Sequence, residues 1–329
     1  MKIAIPLVLV VLLASFAWIG AEYLQWDILF GVVFPYLAFA LFVVGFSIRI
    51  IRWGRSAVPF GIPTTCGQQK SLPWIKQAKL DNPSSFPGVV GRMLLEIFLF
   101  RSLFRNQKAE KRDKRLAFGS AKWLWLGALV FHWSMLIIVL RHLRLFLDPV
   151  PAFIQGIEGA DSFFQIGLPL LYMTDVLIVS ALTFLFIRRV VIPRVRYVSL
   201  TADFFPLFLL LAIALSGIVM RYGFRIDLVD VKELTMGLVT FQPVVSAGVG
   251  SILYVHLFLV ATLLAYFPWS KLMHAGGIVL SPTRNLANNT RAKRHVNPWN
   301  YPVTVHTYAE YEEEFKDKMI KAGLPLDAE

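Results

Sequence analysis

Cysteine is almost absent from this sequence, which contains Cys66 and no other thiol among its 329 residues. One thiol cannot form an internal disulfide, and it cannot supply the several thiolates that iron–sulfur clusters and structural zinc sites require. Any metal centre must therefore rely on histidine or on an external cofactor. Cys66 is either an inert thiol or a group with a redox role close to a partner's cluster, and the sequence leaves both readings open.

Charged residues are also scarce. They make up 16% of the sequence, whereas hydrophobic residues make up 57%. A single soluble core of this size could not bury so much apolar surface, so the composition predicts a protein of the lipid bilayer. The formal net charge is +12, but the bases lie between long apolar runs, where they orient membrane helices. We therefore expect no nucleic-acid partner.

Six apolar runs are long enough to cross about 30 Å of hydrocarbon, which takes roughly 20 helical residues. They lie at 3–20, 28–48, 123–143, 163–187, 203–221 and 244–268. The first run follows Lys2 like the core of a signal peptide, but its length and the second run close behind it favour a retained helix. The sequence thus predicts an all-α polytopic membrane protein with six transmembrane helices.

The basic residues predict how these helices are oriented. They cluster in 49–55, 105–122 and 188–196, whereas the loops 148–161 and 225–233 are richer in acids. Because cytoplasmic loops carry the excess of Lys and Arg, both termini are expected on the cytoplasmic side of the cytoplasmic (inner) membrane. We expect four segments, namely two N-terminal spans in 1–49, a cytoplasmic basic segment in 50–121, a four-helix bundle in 122–275 and a cytoplasmic tail in 276–329.

Two further segments have helical patterns. Val89 to Phe104 is apolar apart from Arg92, Glu96 and Arg101, which recur at helical spacing. This pattern predicts a helix that lies in the plane of the membrane surface or is covered by a partner subunit. Tyr308 to Lys321 predicts an acidic amphipathic helix, which suits either a docking surface or a solvated terminus.

Four of the six histidines lie on two of the predicted helices. His132 and His142 belong to the third, and His256 and His274 to the sixth, extended past the membrane. An imidazole in hydrocarbon is costly unless it is paired or ligated, so these residues are candidates for function. Taken singly, each could instead be hydrogen-bonded to a neighbouring helix.

The arrangement of the four histidines favours a joint role. The third and sixth helices run antiparallel, which places His142 and His256 in the outer half of the membrane and His132 and His274 in the inner half. Each pair could bind a haem iron at both axial positions, as in electron-transfer haems. If both helices are continuous, the rise along the helix axis is about 15 Å from His132 to His142 and about 27 Å from His256 to His274, so the two separations differ. Helix tilt would have to absorb that difference.

The histidine spacing resembles that of the gamma-subunit family of respiratory nitrate reductases, which are di-haem quinol-oxidising cytochromes b. Within it, the chain is similar to the DsrM branch, the cytochrome b subunits of sulfite-reduction-associated DsrMKJOP complexes. The evidence is TTCGQQKSLPWIK at 64–76, LDNPSS at 80–85 and SPTRNLANNTRAKRHVNPWN at 281–300. The nitrate reductase subunits have five spans, so a sixth span here would favour the DsrM branch.

This resemblance implies a di-haem b helix bundle with two haem b groups. His142 and His256 would ligate the iron of the outer haem, and His132 and His274 that of the inner haem. It also implies menaquinone as an exchangeable substrate near the outer haem. The implied partners are a DsrK-like cytoplasmic iron–sulfur subunit and the other membrane and periplasmic subunits of a DsrMKJOP-like complex.

Three more polar residues are candidates for the site. Asp175 lies midway along the fourth predicted span, where it could carry protons for quinone chemistry or be a neutral acid bonded to another helix. Arg141 and Arg144 flank His142 and could bind haem propionates or a quinone head group, or serve as interfacial anchors.

The sequence therefore predicts a cytochrome b that exchanges electrons between menaquinol and an iron–sulfur subunit in sulfur or sulfite metabolism. One alternative is a proton-coupled transporter that uses the intramembrane His and Asp residues. It is disfavoured because no repeat relates the two halves of the sequence. The other is a haem-free membrane anchor, which would leave His132 and His256 without a function.

Overall fold

The computed structural model describes residues 1–57, 67–112, 115–163, 171–246, 248–292 and 305–327. These residues are mostly helical, and Cys66 lies outside them. The α-helices are α1 Ala4–Glu22, α2 Phe34–Gly54, α3 Phe86–Leu99, α4 Arg101–Arg105, α5 Lys122–His142, α6 Ala152–Asp161, α7 Met173–Val191, α8 Pro193–Val198, α9 Thr201–Ile218, α10 Leu228–Val239, α11 Ser251–Tyr266, α12 His274–Leu280 and α13 Tyr308–Lys321. One antiparallel hairpin, β1 Gln107–Arg112 and β2 Arg115–Ser120, departs from the predicted all-α fold.

Five helical segments within the described residues are long and apolar enough to cross a membrane, by length and composition. They are Ala4–Glu22, Leu29–Gly54, Lys122–Leu145, Thr201–Phe224 and Ser251–Trp269. π-helical turns at Leu29–Val33 and Val219–Phe224 extend α2 and α9. The chain is therefore a multi-pass membrane protein, as its composition predicts.

The fourth predicted span differs from the helix found there. α7 begins at Met173 rather than at 163 and carries Asp175, Arg188 and Arg189 within its 19 residues. These three charges exclude α7 from the apolar spans, although it packs against both α5 and α9. The prediction of six spans is thus supported for five helices, and the sixth stays a prediction.

The sixth predicted span is shorter than expected, and it is not continuous to His274. The helix starts at Ser251 instead of 244 and ends at Tyr266, where Phe267–Trp269 forms a 3₁₀ turn around Pro268. A proline cannot donate the next helical hydrogen bond, and the chain is extended at Ser270 before a second turn leads into α12. The expectation that His256 and His274 share one straight helix is therefore wrong, and the rise calculated for it does not apply.

The apolar helices pack in a chain of neighbours. α5 packs along α7, α7 along α9, and α9 along α11, whereas α1 packs on both α9 and α11 and α2 packs on α11. The core there contains Phe30, Leu209, Tyr254 and Leu259, all buried. Among the described residues, α5 and α11 face each other without close backbone packing. This separation leaves room between the two helices that carry the histidines.

The break after α11 is held against α2 by small residues. Gly45 of α2 contacts Pro268 so closely that a Cβ there would lie 2.8 Å from the proline Cβ. A Cβ on Gly276 of α12 would lie 3.2 Å from Ile50 of α2, and one on Gly277 would lie 3.6 Å from the Trp53 ring, so both glycines also lie close to α2. The position of α12, and of His274 at its start, thus depends on α2.

α3 exposes its apolar side and buries its charged side. Arg92 and Glu96 are buried, whereas Phe86, Leu94 and Phe98 are exposed. The indole of Trp133 on α5 donates a hydrogen bond to the carbonyl of Phe98. This arrangement agrees with both predicted environments for the segment, the membrane surface and a partner subunit.

The two polar segments that the sequence singled out pack on each other. The backbone N–H of Asn288 donates to the carbonyl of Pro83 at 2.7 Å, and its amide donates to the Asn82 side chain at 2.7 Å. Both asparagines are buried. Asp81 beside them pairs with Arg101 and Arg105 of α4. The start of the tail and the segment after residue 67 therefore form one structured unit.

Candidate histidine-pair sites

The rings of His142 on α5 and His256 on α11 face each other. Their centroids are 6.4 Å apart and their planes differ by only 11°. His142 is exposed and His256 half-buried, so the two rings line open space between their helices rather than a filled core.

The rings of His132 and His274 form the second pair. Their centroids are 5.9 Å apart, but their planes are almost perpendicular, at 82°. His132 comes from the first half of α5, and His274 from the first residue of α12. The structure thus brings together the same two pairs that the sequence argument proposes, although His274 reaches its place through a break in the helix.

All four histidines are oriented through the same ring nitrogen, Nδ1. His132 and His142 each place Nδ1 2.7 Å from the carbonyl one helical turn earlier, and Nδ1 of His274 is 2.9 Å from the carbonyl of Lys271. A carbonyl only accepts, so Nδ1 carries the proton and Nε2 carries the lone pair. Within the described part of the chain, no hydrogen bond reaches Nε2 of the four. This is the state in which imidazole ligates a metal.

The geometry of both pairs fits a haem iron. Metal–imidazole bonds of about 2 Å put the centroids of two axial rings roughly 6 Å apart, which both measured separations match. Over the described residues, three or more metal-binding side chains do not gather at any point. Axial ligation needs only two, because the porphyrin supplies the other nitrogens. The separation of α5 from α11 would leave space for the porphyrin ring.

Arg141 lies at the centre of a buried ionic cluster beside His142. Its Nε is 3.0 Å from Asp161 Oδ2, and its Nη2 is 3.3 Å from Asp175 Oδ1 and 3.1 Å from Thr174 Oγ1. Thr174 in turn donates to Asp161 at 2.6 Å. Tyr172 stacks under the guanidinium at 3.6 Å. The cluster joins the end of α5 to α6 and to the start of α7.

The sequence predicts that Asp175 lies midway along a span. It does not, because α7 begins only at Met173. It lies in the first turn of α7 and accepts a hydrogen bond from Tyr222 at 2.8 Å. With Arg141 on its other side it is an ion-paired carboxylate rather than an isolated acid in hydrocarbon. The start of α7 therefore brings a hydrogen-bonded carboxylate close to the pair formed by His142 and His256.

Arg144 is paired as well. It bonds Glu158 of α6, which also accepts a hydrogen bond from the hydroxyl of Tyr172 at 2.7 Å. Its side chain is 39% exposed, compared with 9% for Arg141. The two arginines are therefore not equivalent, since one is buried between carboxylates and the other lies near the surface.

Sequence reasoning missed Ser216 and Gly217 on α9. Ser216 Oγ lies 2.9 Å from Nδ1 of His256, and a Cβ on Gly217 would lie 3.4 Å from Cε1 of the same ring. Gly127 of α5 packs against Phe184 of α7. A serine next to a glycine in an apolar run was the available signal, but nothing in the sequence links it to a histidine forty residues away.

Five apolar spans and two facing histidine pairs define a multi-pass membrane protein with two candidate bis-imidazole centres. The chain belongs to the nitrate reductase gamma-subunit family, which residues 89–293 match. A relative from Archaeoglobus fulgidus, described as an Hdr-like menaquinol oxidoreductase cytochrome b-like subunit, is 49% identical over 280 residues, which cover 83% of this chain and 84% of the relative. A relative of the same description from Archaeoglobus profundus is 42% identical over 275 residues, or 81% of each chain. The match with the family contains all four paired histidines.

Proposed function

We propose that this chain is a di-haem cytochrome b that passes electrons from menaquinol to a cytoplasmic iron–sulfur subunit. The observation that carries the proposal is the geometry of the two histidine pairs. In each pair the rings are roughly 6 Å apart, and Nε2 is left without a hydrogen bond in the described structure. The names of the two archaeal relatives support the same function.

In this proposal each pair holds one haem b. His142 and His256 would hold the haem at the outer site, and His132 and His274 would hold the haem at the inner site. The bound haems would supply single-electron transfer. The Nδ1 hydrogen bonds of the four histidines fix the orientation of the rings and raise their basicity toward iron.

The ionic cluster beside His142 suits the chemistry of a quinol. Quinol oxidation releases protons together with electrons, and it therefore needs a proton acceptor near the outer site. Asp175 is such a group, because its carboxylate lies between Arg141 and the hydroxyl of Tyr222. We assign Asp175 as the first proton acceptor. Arg141 acts through Asp175, and Arg144 anchors α6 through Glu158.

The partner and the setting follow from charge and resemblance. The bases of 49–55, 105–122 and 188–196 favour a cytoplasmic position for both termini in the inner membrane. The inner histidine pair would then lie nearest the cytoplasm, where a DsrK-like iron–sulfur subunit would accept electrons. The sequence of the tail supports the DsrM branch, and with it a role in sulfur or sulfite metabolism within a DsrMKJOP-like complex.

The test is a haem count. The purified full-length chain is reduced with dithionite, its difference spectrum is recorded, and haem b is quantified as the pyridine haemochrome. We expect two haems per chain in the wild type and one each in His132→Ala and His256→Ala. His306→Ala, a histidine in the tail away from both pairs, is the matched control and should retain two.

The outcomes separate the rival functions. Folded wild-type protein without haem would overturn the proposal and favour the transporter. Loss of a single haem in both His142→Ala and His256→Ala, with the same remaining spectrum, would identify these two residues as ligands of one haem. The inner pair is tested in the same way with His132→Ala and His274→Ala.

A further inference from the structure

We propose that Ser216 is the positioning residue for His256 and that it sets the reduction potential of the outer site. The inference rests on the proposed haem ligation but goes beyond it, because Ser216 touches neither the iron position nor a substrate. It assigns a function to a membrane-embedded hydroxyl that the electron-transfer pathway itself does not require.

The contacts of Ser216 define this role. Its Oγ donates to the carbonyl of Ile213 at 2.9 Å and lies 2.9 Å from Nδ1 of His256. A hydroxyl has one proton and two lone pairs. Since the proton is used on the carbonyl of Ile213, Oγ is available to accept from Nδ1–H of His256. The hydrogen bond to Ile213 by itself satisfies the hydroxyl proton of Ser216, so the contact with His256 is an additional interaction.

Ser216 makes His256 different from the other three histidines. Those three donate to backbone carbonyls, which no substitution can remove. His256 alone also contacts a side chain, the hydroxyl of Ser216 on a different helix, in addition to the backbone carbonyl of Ile213. The protonation of Nδ1 and the plane of the His256 ring can therefore be altered without changing a ligand.

The neighbouring residue supports the same arrangement. Gly217 leaves space beside Cε1 of His256, the ring atom between the two nitrogens. Ser216 thus orients one edge of the imidazole by a hydrogen bond. Gly217 leaves room for the same edge because it has no side chain. In this arrangement the planes of His142 and His256 are nearly parallel.

The consequence for the potential follows from the hydrogen bond. An acceptor at Nδ1 pushes electron density through the imidazole to the metal and favours the oxidised iron. Removal of the acceptor should weaken that donation and raise the midpoint potential of the outer haem. The inner haem should keep its potential, because its ligands donate to carbonyls.

The experiment compares Ser216→Ala with Ser216→Thr, which keeps the hydroxyl. Both haems are titrated optically against potential, and the ferric signals are recorded by electron paramagnetic resonance. In Ser216→Ala we expect an upward shift of one midpoint potential and a changed ferric signal from the same haem. Ser216→Thr should restore both. Ser134→Ala, a buried serine on α5 whose hydroxyl contacts no histidine in the described structure, is the matched control and should change neither.

Each result has a definite meaning. Loss of one haem in Ser216→Ala with retention in Ser216→Thr also supports the proposal. Two haems with wild-type potentials in Ser216→Ala would overturn it, as would equal losses in both variants, because the hydroxyl would then not be the cause. A wild-type chain without haem would instead overturn the proposed function, so the two failures are distinguishable.

Discussion

Arg141 of α5 and Asp161 of α6 form a buried ion pair, with 3.0 Å between Nε and Oδ2. Their side chains are only 9% and 3% exposed. Breaking a buried pair leaves a charge without a partner, which costs about 3–5 kcal/mol. The pair joins α5 to α6, and α6 lies in the connection between His142 at the end of α5 and the start of α7.

The first prediction concerns this pair. Arg141→Ala should lower the thermal stability of the purified protein and the occupancy of the outer haem, because Asp161 is left buried and unpaired. Arg144→Ala is the matched control. Arg144 is 39% exposed, and loss of an exposed ion pair costs about 0–1 kcal/mol. Melting temperatures and haem content are measured together, and equal effects of the two substitutions would contradict the distinction.

The angle between the histidine planes predicts two different ferric signals. His142 and His256 are 11° from parallel, whereas His132 and His274 are at 82°. Near-parallel axial planes give rhombic low-spin spectra, and perpendicular planes give a strongly anisotropic signal. Electron paramagnetic resonance of the oxidised protein should show one of each. His132→Ala should remove the anisotropic signal and leave the rhombic one, whereas two identical signals would contradict the geometry.

Asp175 should control the rate of electron entry from quinol. In Asp175→Asn the proton acceptor is gone, so reduction of the haems by a menaquinol analogue should slow by about 100-fold. Reduction by dithionite, which needs no proton acceptor, should be unchanged. Both rates are measured by stopped-flow absorbance. Asp148→Asn alters an exposed carboxylate paired with Lys232 and serves as the control. Equal quinol rates in Asp175→Asn and the wild type would remove Asp175 from the pathway.

Asp81 should make the structured unit of residues 67–85 and the start of the tail sensitive to acid. Burial raises the pKa of Asp81, but hydrogen bonds from Arg105 and Arg101 outweigh this effect and hold the pKa below its ordinary value of 3.8. Because the folded-state pKa is the lower one, the contribution to stability is present above 3.8 and is lost as pH falls through the lowered value. The protection factors for hydrogen exchange of residues 67–85, which are corrected for the intrinsic rate at each pH, should therefore fall only in acid. In Asp81→Asn exchange should be fast already at neutral pH, whereas Asp317→Asn in the exposed α13 should match the wild type.

The sequence was sufficient to predict which histidines pair. Hydrophobic runs specify the order and direction of spans, and antiparallel spans determine which ends meet. The same reasoning placed His274 on a straight helix because periodicity treats a run as continuous, although Pro268 was an available stop signal. Asp175 was misplaced along its helix for a similar reason, since the apolar run begins before the helix does.

The residues that orient the site could not be predicted in the same way. Ser216 meets His256 only because α9 packs against α11, and this contact depends on the packing of side chains along both helices. The paired state of Arg141 likewise depends on α6, a short helix whose carboxylates appear in the sequence as ordinary acids of a loop. Periodicity identifies helices, but it contains no information on which hydroxyl faces which ring.

The packing of α12 on α2 has a consequence for the assembly of the protein. Gly45, Ile50 and Trp53 of α2 contact Pro268, Gly276 and Gly277, which flank His274 in the sequence, and all three lie before the region matched by the family, which starts at residue 89. α2 is synthesised well before the segment that carries His274. The pair of His132 and His274 can therefore form only after α2 and α12 have packed together, so binding of a haem there would report that these distant parts of the chain are assembled.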